Sequence, residues 1–417
     1  MPAKRPDTAI LHYSAPPIIG GVEAVIKAHV NVFAANGYPV TVVAGRGNQA
    51  SLPKGTELVL IPEMDSQNQE VLQVSSVLEN GQLPPRFEKV VSRLVKALSP
   101  VVTSHDTIII HNIFTKHFNL PLTAALVQLL DRGAIKNCIA WCHDFTWTSP
   151  YSRTKVHPGY PWDLLRTYRS EVTYVTVSRR RQATLANLLS CDLTRIHVIY
   201  NGVDSRRLLG LTAEGWQLAN RLDLFESDLI LLMPVRITHA KNIEFALRVV
   251  ASLRNRGCRP KLILTGPPDP HDVQSMDYFH SLQDLRQALD INSEMRFIFE
   301  SGPHPDQPHT IDEQVIGELF RLCDVMFMPS FREGFGMPVL EAGLTGIPVV
   351  STNVPAAEEI GNGDITLFNT DDDPDKVAEL ILEVVENSPI HHLKRRVRQN
   401  YTWEAIFRDQ IEPLLTK

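Results

Sequence analysis

No G-x-G-x-x-G occurs anywhere in the 417 residues, which argues against a dehydrogenase built on the dinucleotide-binding turn. Cysteine is scarce as well. The five present, Cys138, Cys142, Cys191, Cys258 and Cys323, are scattered and odd in number, so neither a disulfide framework nor a zinc-ligand spacing can be drawn from them. Free, buried thiols in a reducing compartment are the expectation. Long apolar runs are also missing: after the charged residues 1 to 8, the apolar stretch is too short for a signal peptide or a membrane span. A cytoplasmic location is expected, with peripheral contact to a membrane left open. Positive charge is not in excess, since 41 Lys and Arg face 47 Asp and Glu for a net charge of -6; nothing here attracts nucleic acid in general. A metal is not expected either. The D-x-D within Asp371-Asp-Asp-Pro-Asp375 stands just before a helix starting near Lys376, where capping explains it. His304 and His309 belong to a Pro- and His-rich loop.

What is present is an ordinary globular composition, 43% hydrophobic and 21% charged, in a chain long enough for two cores. Apolar runs of strand length alternate with helical stretches. Strands are expected at Ala9 to His12, Val40 to Ala44, Thr107 to Ile110, Ile139 to Cys142, Tyr174 to Ser178 and Ile196 to Tyr200. A second series follows at Leu229 to Pro234, Lys261 to Leu264, Arg296 to Phe299 and Val325 to Met328. Helices are expected over Ala24 to Asn36, Arg86 to Leu98, Pro121 to Arg132, Ile243 to Arg256 and Tyr401 to Leu415, with 48 to 105 otherwise irregular and 205 to 228 a helical linker.

Candidate binding residues stand at the ends of these strands, where open α/β sheets hold ligands. Gly20-Gly21 precedes the first helix, a place suited to phosphate, although a plain tight turn is the commoner explanation of a glycine pair alone. His143 follows the Ile139 to Cys142 strand, and a structural hydrogen bond is its plain alternative. The loop after it is long and aromatic, with Trp147 and Tyr151 offering faces on which a sugar ring can stack. Arg236 and Lys241 flank a strand end and a helix start; two cations there are oddly placed unless they share an anion.

The most informative stretch runs from Asp324 to Val350. A short apolar strand ends at Pro329-Ser330, a loop carries Glu333, Gly334, Phe335 and Gly336, and Pro338 sits where a helix starts. Glycines let a ligand lie against the backbone, and the helix start offers unpaired N–H groups. Glu333 and Glu341 are eight positions apart, and as acceptors only they suit hydroxyl-rich partners.

Glu333-Gly-Phe-Gly-Met-Pro-Val-Leu-Glu341-Ala, with Asp324, Pro329-Ser330 and Gly346-Ile-Pro-Val-Val350 around it, resembles the signature of the family-four retaining nucleotide-sugar glycosyltransferases. The resemblance implies the glycosyltransferase B fold: α/β, two facing Rossmann-like domains with the active site in the cleft between them. It places an acceptor domain at 1–204, completed by the terminal helix at about 400–417, and a donor domain at 205–399, with Asn201-Gly-Val-Asp204 as the boundary. It implies retaining transfer of a hexose from a uridine or guanosine diphosphate sugar to a sugar, glycan or small hydroxyl acceptor, with no cofactor. Residue by residue, it puts Arg236 and Lys241 on the diphosphate, His143 and Glu333 on the donor sugar, and Glu341 on the ribose. Gly20, Gly21, Gly266, Gly334, Phe335 and Gly336 then belong to donor binding, and Trp147 and Tyr151 to the acceptor side. A sugar-nucleotide epimerase or phosphorylase of the same fold, or a non-catalytic sugar-nucleotide-binding subunit, are the competing readings. Oligomeric state is not legible.

Overall fold

The computed structural model describes residues 5–18, 20–304 and 307–415. The chain divides into two compact units, Met1–Val203 with Trp403–Lys417, and Asp204–Thr402. The first unit holds seven strands: β1 (Thr8–His12), β2 (Val40–Ala44), β3 (Glu57–Leu60), β4 (Thr107–His111), β5 (Asn137–Cys142), β6 (Val172–Thr176) and β7 (Ile196–Val198). They form one sheet in the order β3-β2-β1-β4-β5-β6-β7, parallel throughout. The second unit holds β8 (Leu229–Met233), β9 (Pro260–Leu264), β10 (Met295–Phe297), β11 (Val325–Met328), β12 (Val349–Thr352) and β13 (Thr366–Phe368). Their order is β10-β9-β8-β11-β12-β13, again all parallel. Each unit is thus Rossmann-like, and together they have the composition of the expected two-domain α/β fold.

Parallel sheets need helices on both faces, so their central strands read as unbroken apolar runs. β8, Leu-Ile-Leu-Leu-Met, is buried at every position. Alternate side chains then go to opposite cores. In β1, Ala9 and Leu11 join Phe87, Leu94 and Leu126 on one face. Ile10 joins Val30, Phe33 and Trp141 on the other, together with Trp403, Ile406, Phe407 and Ile411 from the end of the chain. The Trp403 N–H donates to the Val203 carbonyl at 3.2 Å. Gly202 is required by this contact: a Cβ there would lie 2.8 Å from the Trp403 ring and 2.9 Å from its backbone nitrogen. Asn-Gly is therefore more than a turn signal, because the glycine makes room for the returning chain.

The lower edge of the second sheet is closed by the helix Pro389–Asn400. From it, buried Arg398 donates to both oxygens of Asp324 at 3.0 Å and to the Ser227 carbonyl at 3.1 Å. Asp324 in turn accepts the Ile230 N–H at 2.9 Å, tying β8 to β11. This part of the recognised stretch is thus a structural clamp at the strand beginnings, away from the strand ends where ligands bind.

Several elements differ from the sequence reading. The stretch expected to be irregular contains β3 and the helix Gln69–Glu79, capped by Asn68. The edge strand β3 is half exposed, so it lacks the apolar run that marks the interior strands. The first helix starts at Gly21 instead of Ala24. The third runs Phe87–Ser104, passing Pro100. The helix Ser275–Ala288 was not expected at all, its apolar face being narrow. Asp373 caps the helix Pro374–Glu386 by accepting the Asp375 N–H at 2.8 Å, as the capping reading of D-x-D requires. Pro305 and Asp306 of the Pro- and His-rich loop lie outside the described residues. All five cysteines are free, with Cys191 and Cys258 only half-buried. Among the described residues no helix is long and apolar enough to cross a membrane.

Candidate active site

In both sheets the strand order reverses once, between β1 and β4 and between β8 and β11. The crevice outside the strand ends at such a reversal is where doubly wound sheets bind ligands. In the second unit the exits of β8, β9 and β11 are laced by backbone hydrogen bonds: Gly266 N–H to Val235 at 2.9 Å, Ile237 N–H to Pro267 at 3.0 Å and Phe331 N–H to Ala240 at 2.9 Å. Thr352 adds a hydroxyl bond to the Ser330 carbonyl at 2.6 Å. Gly266 has to be glycine, because a Cβ would stand 2.4 Å from the Val235 carbonyl oxygen and 2.8 Å from Arg236 backbone atoms. It thus acts by letting one loop press on another.

This frame brings Lys241 and Glu333 together. The Lys241 ammonium lies 2.7 Å from Oε1 and 2.8 Å from Oε2 of Glu333, with side chains 20% and 8% exposed. An ammonium has three donors, so one N–H of Lys241 stays free of this carboxylate. Arg236 is 59% exposed, and its nearest acidic neighbour, Asp269, is 3.9 Å away. Past Glu333, Gly334 and Phe335 are exposed, and Gly336 turns the chain at φ +85° into the helix Met337–Thr345, which has no side-chain cap. A positive φ is open to glycine at little cost. Pro338 has no N–H and the Val339 N–H donates to the Gly336 carbonyl at 2.9 Å, so among the first three positions of this helix only Met337 keeps an amide to meet an anion. Glu341 is exposed on the same helix, and among the described residues no group bonds its carboxylate. The sequence reading treated Glu333 and Lys241 as separate ligand contacts; the structure shows each as the partner of the other.

The first unit has its own cluster. β1 ends in His12, β4 in His111, and β5 runs directly into His143. The Nδ1–H of His12 donates to the His111 carbonyl at 3.0 Å, and its Nε2 is 3.7 Å from Glu23. Nδ1 of His111 and Nε2 of His143 share a hydrogen bond of 3.1 Å. Asn112, at φ +60°, turns its side-chain oxygen onto the His143 and Asp144 N–H groups at 2.8 and 3.2 Å. Asp144 is anchored by Arg181 at 3.0 Å. Burial pushes the imidazoles of His12, His111 and His143 down, His143 to about 4, so the cluster is neutral near pH 7. Glu23 takes the Ser14 hydroxyl at 2.6 Å and folds over Gly20, whose absent Cβ would sit 2.1 Å from its carboxylate. Gly21 is open, with nothing within 4 Å of a Cβ there.

Compared with known proteins, residues 216–402 match the glycosyl transferases group 1 family and residues 19–207 match glycosyltransferase family 4. Both are glycosyltransferase families, the first matching within the unit Asp204–Thr402 and the second almost wholly within the unit Met1–Val203. An uncharacterized glycosyltransferase of Methanocaldococcus jannaschii is 24% identical over 258 residues, 60% of this chain and 61% of that one. The mannosylglucosylglycerate synthase of Petrotoga mobilis is 22% identical over 264 residues, 60% of each chain. A D-inositol 3-phosphate glycosyltransferase of Stackebrandtia nassauensis is 30% identical over 186 residues, 43% of this chain and 38% of that one. The chain thus spans roughly two- to three-fifths of the length of these curated relatives.

The aromatic loop of the first unit divides in two. Trp147 packs against the first core, donates its indole N–H to the Trp162 carbonyl at 3.2 Å and carries the Arg166 guanidinium at 4.0 Å over its ring. It is held in place by its own unit. Tyr151 is 91% exposed. The residues that sequence reasoning missed are His12, Glu23, His111 and Asn112. A signal existed: three strands that become neighbours at the reversal each lead into a histidine.

Proposed function

We propose that this chain is a retaining hexosyltransferase that moves a glucose- or mannose-type sugar from a nucleoside diphosphate donor to a hydroxyl acceptor. The observation that carries the reading is the second-unit constellation at the β8/β11 reversal: the Lys241–Glu333 pair, exposed Arg236, and a glycine-led, uncapped helix start. A cationic pair beside a helix start fits the charge that grows on a departing diphosphate. In this reading Arg236 and the third N–H of Lys241 take phosphate oxygens, and no metal is needed for that charge. Glu333, held still by Lys241, accepts hydrogen bonds from sugar hydroxyls, and the open carboxylate of Glu341 accepts from the ribose. His143, neutral, bonds the donor sugar. The acceptor oxygen bonds to the anomeric carbon as the bond from that carbon to the diphosphate oxygen breaks. The diphosphate takes the acceptor's proton, and attack on the face of departure retains configuration.

The test is hydrolysis and transfer across uridine, guanosine and adenosine diphosphate sugars, with Glu333→Ala beside the parent. Turnover of one donor by the parent alone supports the reading and identifies that donor. If the parent neither turns over nor binds any of them in a thermal-shift assay, the transferase reading is wrong; binding without turnover points to a sugar-nucleotide-binding subunit.

A further inference from the structure

We infer that His111 is a positioning residue that fixes the tautomer of His143, so that His143 presents Nδ1–H, a donor, on the side away from His111. The reading of His143 as a sugar contact gives this its functional meaning, but the tautomer itself is a separate, measurable property. Two neutral imidazoles joined by one hydrogen bond carry a single proton between them. If His111 Nδ1 holds it, His143 Nε2 accepts and His143 must carry its own proton on Nδ1. If His143 Nε2 holds it, Nδ1 of His143 is a bare lone pair and His111 must carry a proton on Nε2. The two arrangements offer a ligand opposite chemistry at the same atom.

The surroundings of His111 choose between them. Its ring is fully buried, stacked at 21° on His143 and at 23° on Trp141, with His29 at 5.3 Å between centroids. His111 Nε2 is buried with no partner among the described residues, as are both nitrogens of His29 and the indole nitrogen of Trp141. A proton on His111 Nε2 would be an orphaned buried donor, placed among rings that already include the permanent donor of Trp141. A lone pair there is the milder defect, because orphaned buried N–H groups are rarer than under-satisfied acceptors. The proton therefore belongs on His111 Nδ1. The rest of the cluster holds both rings still: His12 clamps the His111 carbonyl, and Asn112 clamps the His143 backbone. On the far side of His143, among the described residues no group bonds Nδ1.

The experiment is a two-bond proton–nitrogen correlation spectrum of the full chain with 15N-histidine near pH 7, with His143 assigned by its loss in His143→Gln. The expected parent pattern is the Nδ1–H tautomer. His111→Asn, whose amide nitrogen takes the place of Nδ1, keeps that pattern. His111→Leu, which removes the donor, shifts His143 to the Nε2–H form or a mixture. An Nε2–H pattern in the parent overturns the inference whether or not any variant folds; so does an unchanged pattern in folded His111→Leu. Donor turnover is read in parallel. With the tautomers as expected, a silent parent refutes the transferase reading alone. With an active parent, loss of turnover in His111→Leu and its recovery in His111→Asn connect the tautomer to catalysis.

Discussion

Glu333→Gln tests the energetics of the candidate site directly. Lys241 keeps a fifth of its side chain exposed and Glu333 less than a tenth, so the substitution leaves a mostly buried ammonium without its counter-charge. Removing one partner of a buried pair costs about 3–5 kcal/mol, and the amide oxygen of Gln recovers about 1 kcal/mol as a neutral acceptor. The expected loss is about 2–4 kcal/mol. For a unit of this size that lowers the melting temperature by about 6–12 °C at the middle of the range. The stranded charge has a second consequence. A nucleoside diphosphate supplies the missing negative charge, so uridine or guanosine diphosphate should raise the melting temperature of the variant more than that of the parent, while sugar transfer is lost. Replacing both residues, Glu333→Leu with Lys241→Met, should return the melting temperature near the parent value, because an apolar pair often matches a buried ion pair. The assay is thermal unfolding with and without millimolar nucleotide, beside donor turnover. A single variant melting within about 1 °C of the parent, or losing all response to nucleotide while the parent responds, refutes the reasoning.

Two further predictions concern one buried histidine and one tightly packed glycine. Burial, with a smaller part from His143, pushes His29 down to about 3 from an ordinary 6.5. The unfolded chain therefore binds one more proton than the folded one between those values, and stability falls as pH drops below about 6.5 at about 1.4 kcal/mol per pH unit. His29→Phe should remove that share, so urea midpoints at pH 7 and pH 5 should move together more closely by about 2 kcal/mol than in the parent; equal pH slopes in the two proteins contradict it. Gly266→Ala should destabilise the second unit by about 1–3 kcal/mol, the usual cost of overpacking, and reduce donor turnover by displacing Arg236. An unchanged melting temperature would show that the β8 and β9 loops are not pressed together as described.

The legible parts of this protein were those where local chemistry and global position agree. Central strands such as β8 and β11 are buried on both faces, so their apolar runs announce them; β3, half exposed at the edge, does not. The Glu333 to Glu341 stretch could be read because strand, glycine loop, proline and helix follow each other within a few residues. Of the histidine cluster only His143 could be read, since His12 and His111 are far from it in the chain and each is unremarkable alone.

What the sequence by itself determined is the alternation of strand and helix, the glycine-led helix start after β11, and the residue types available at each strand end. Tertiary structure decided which of them meet. The sheet order sets β8 beside β11 and β1 between β2 and β4, and only that order pairs Lys241 with Glu333 and brings His12 onto the His111 backbone. Gly202 and Gly266 likewise read as turns until the chain segments pressed against them are known. Periodicity is a local property carried by neighbours in sequence, whereas pairing, burial of charge and close backbone approach depend on which distant segments the folded sheet places side by side.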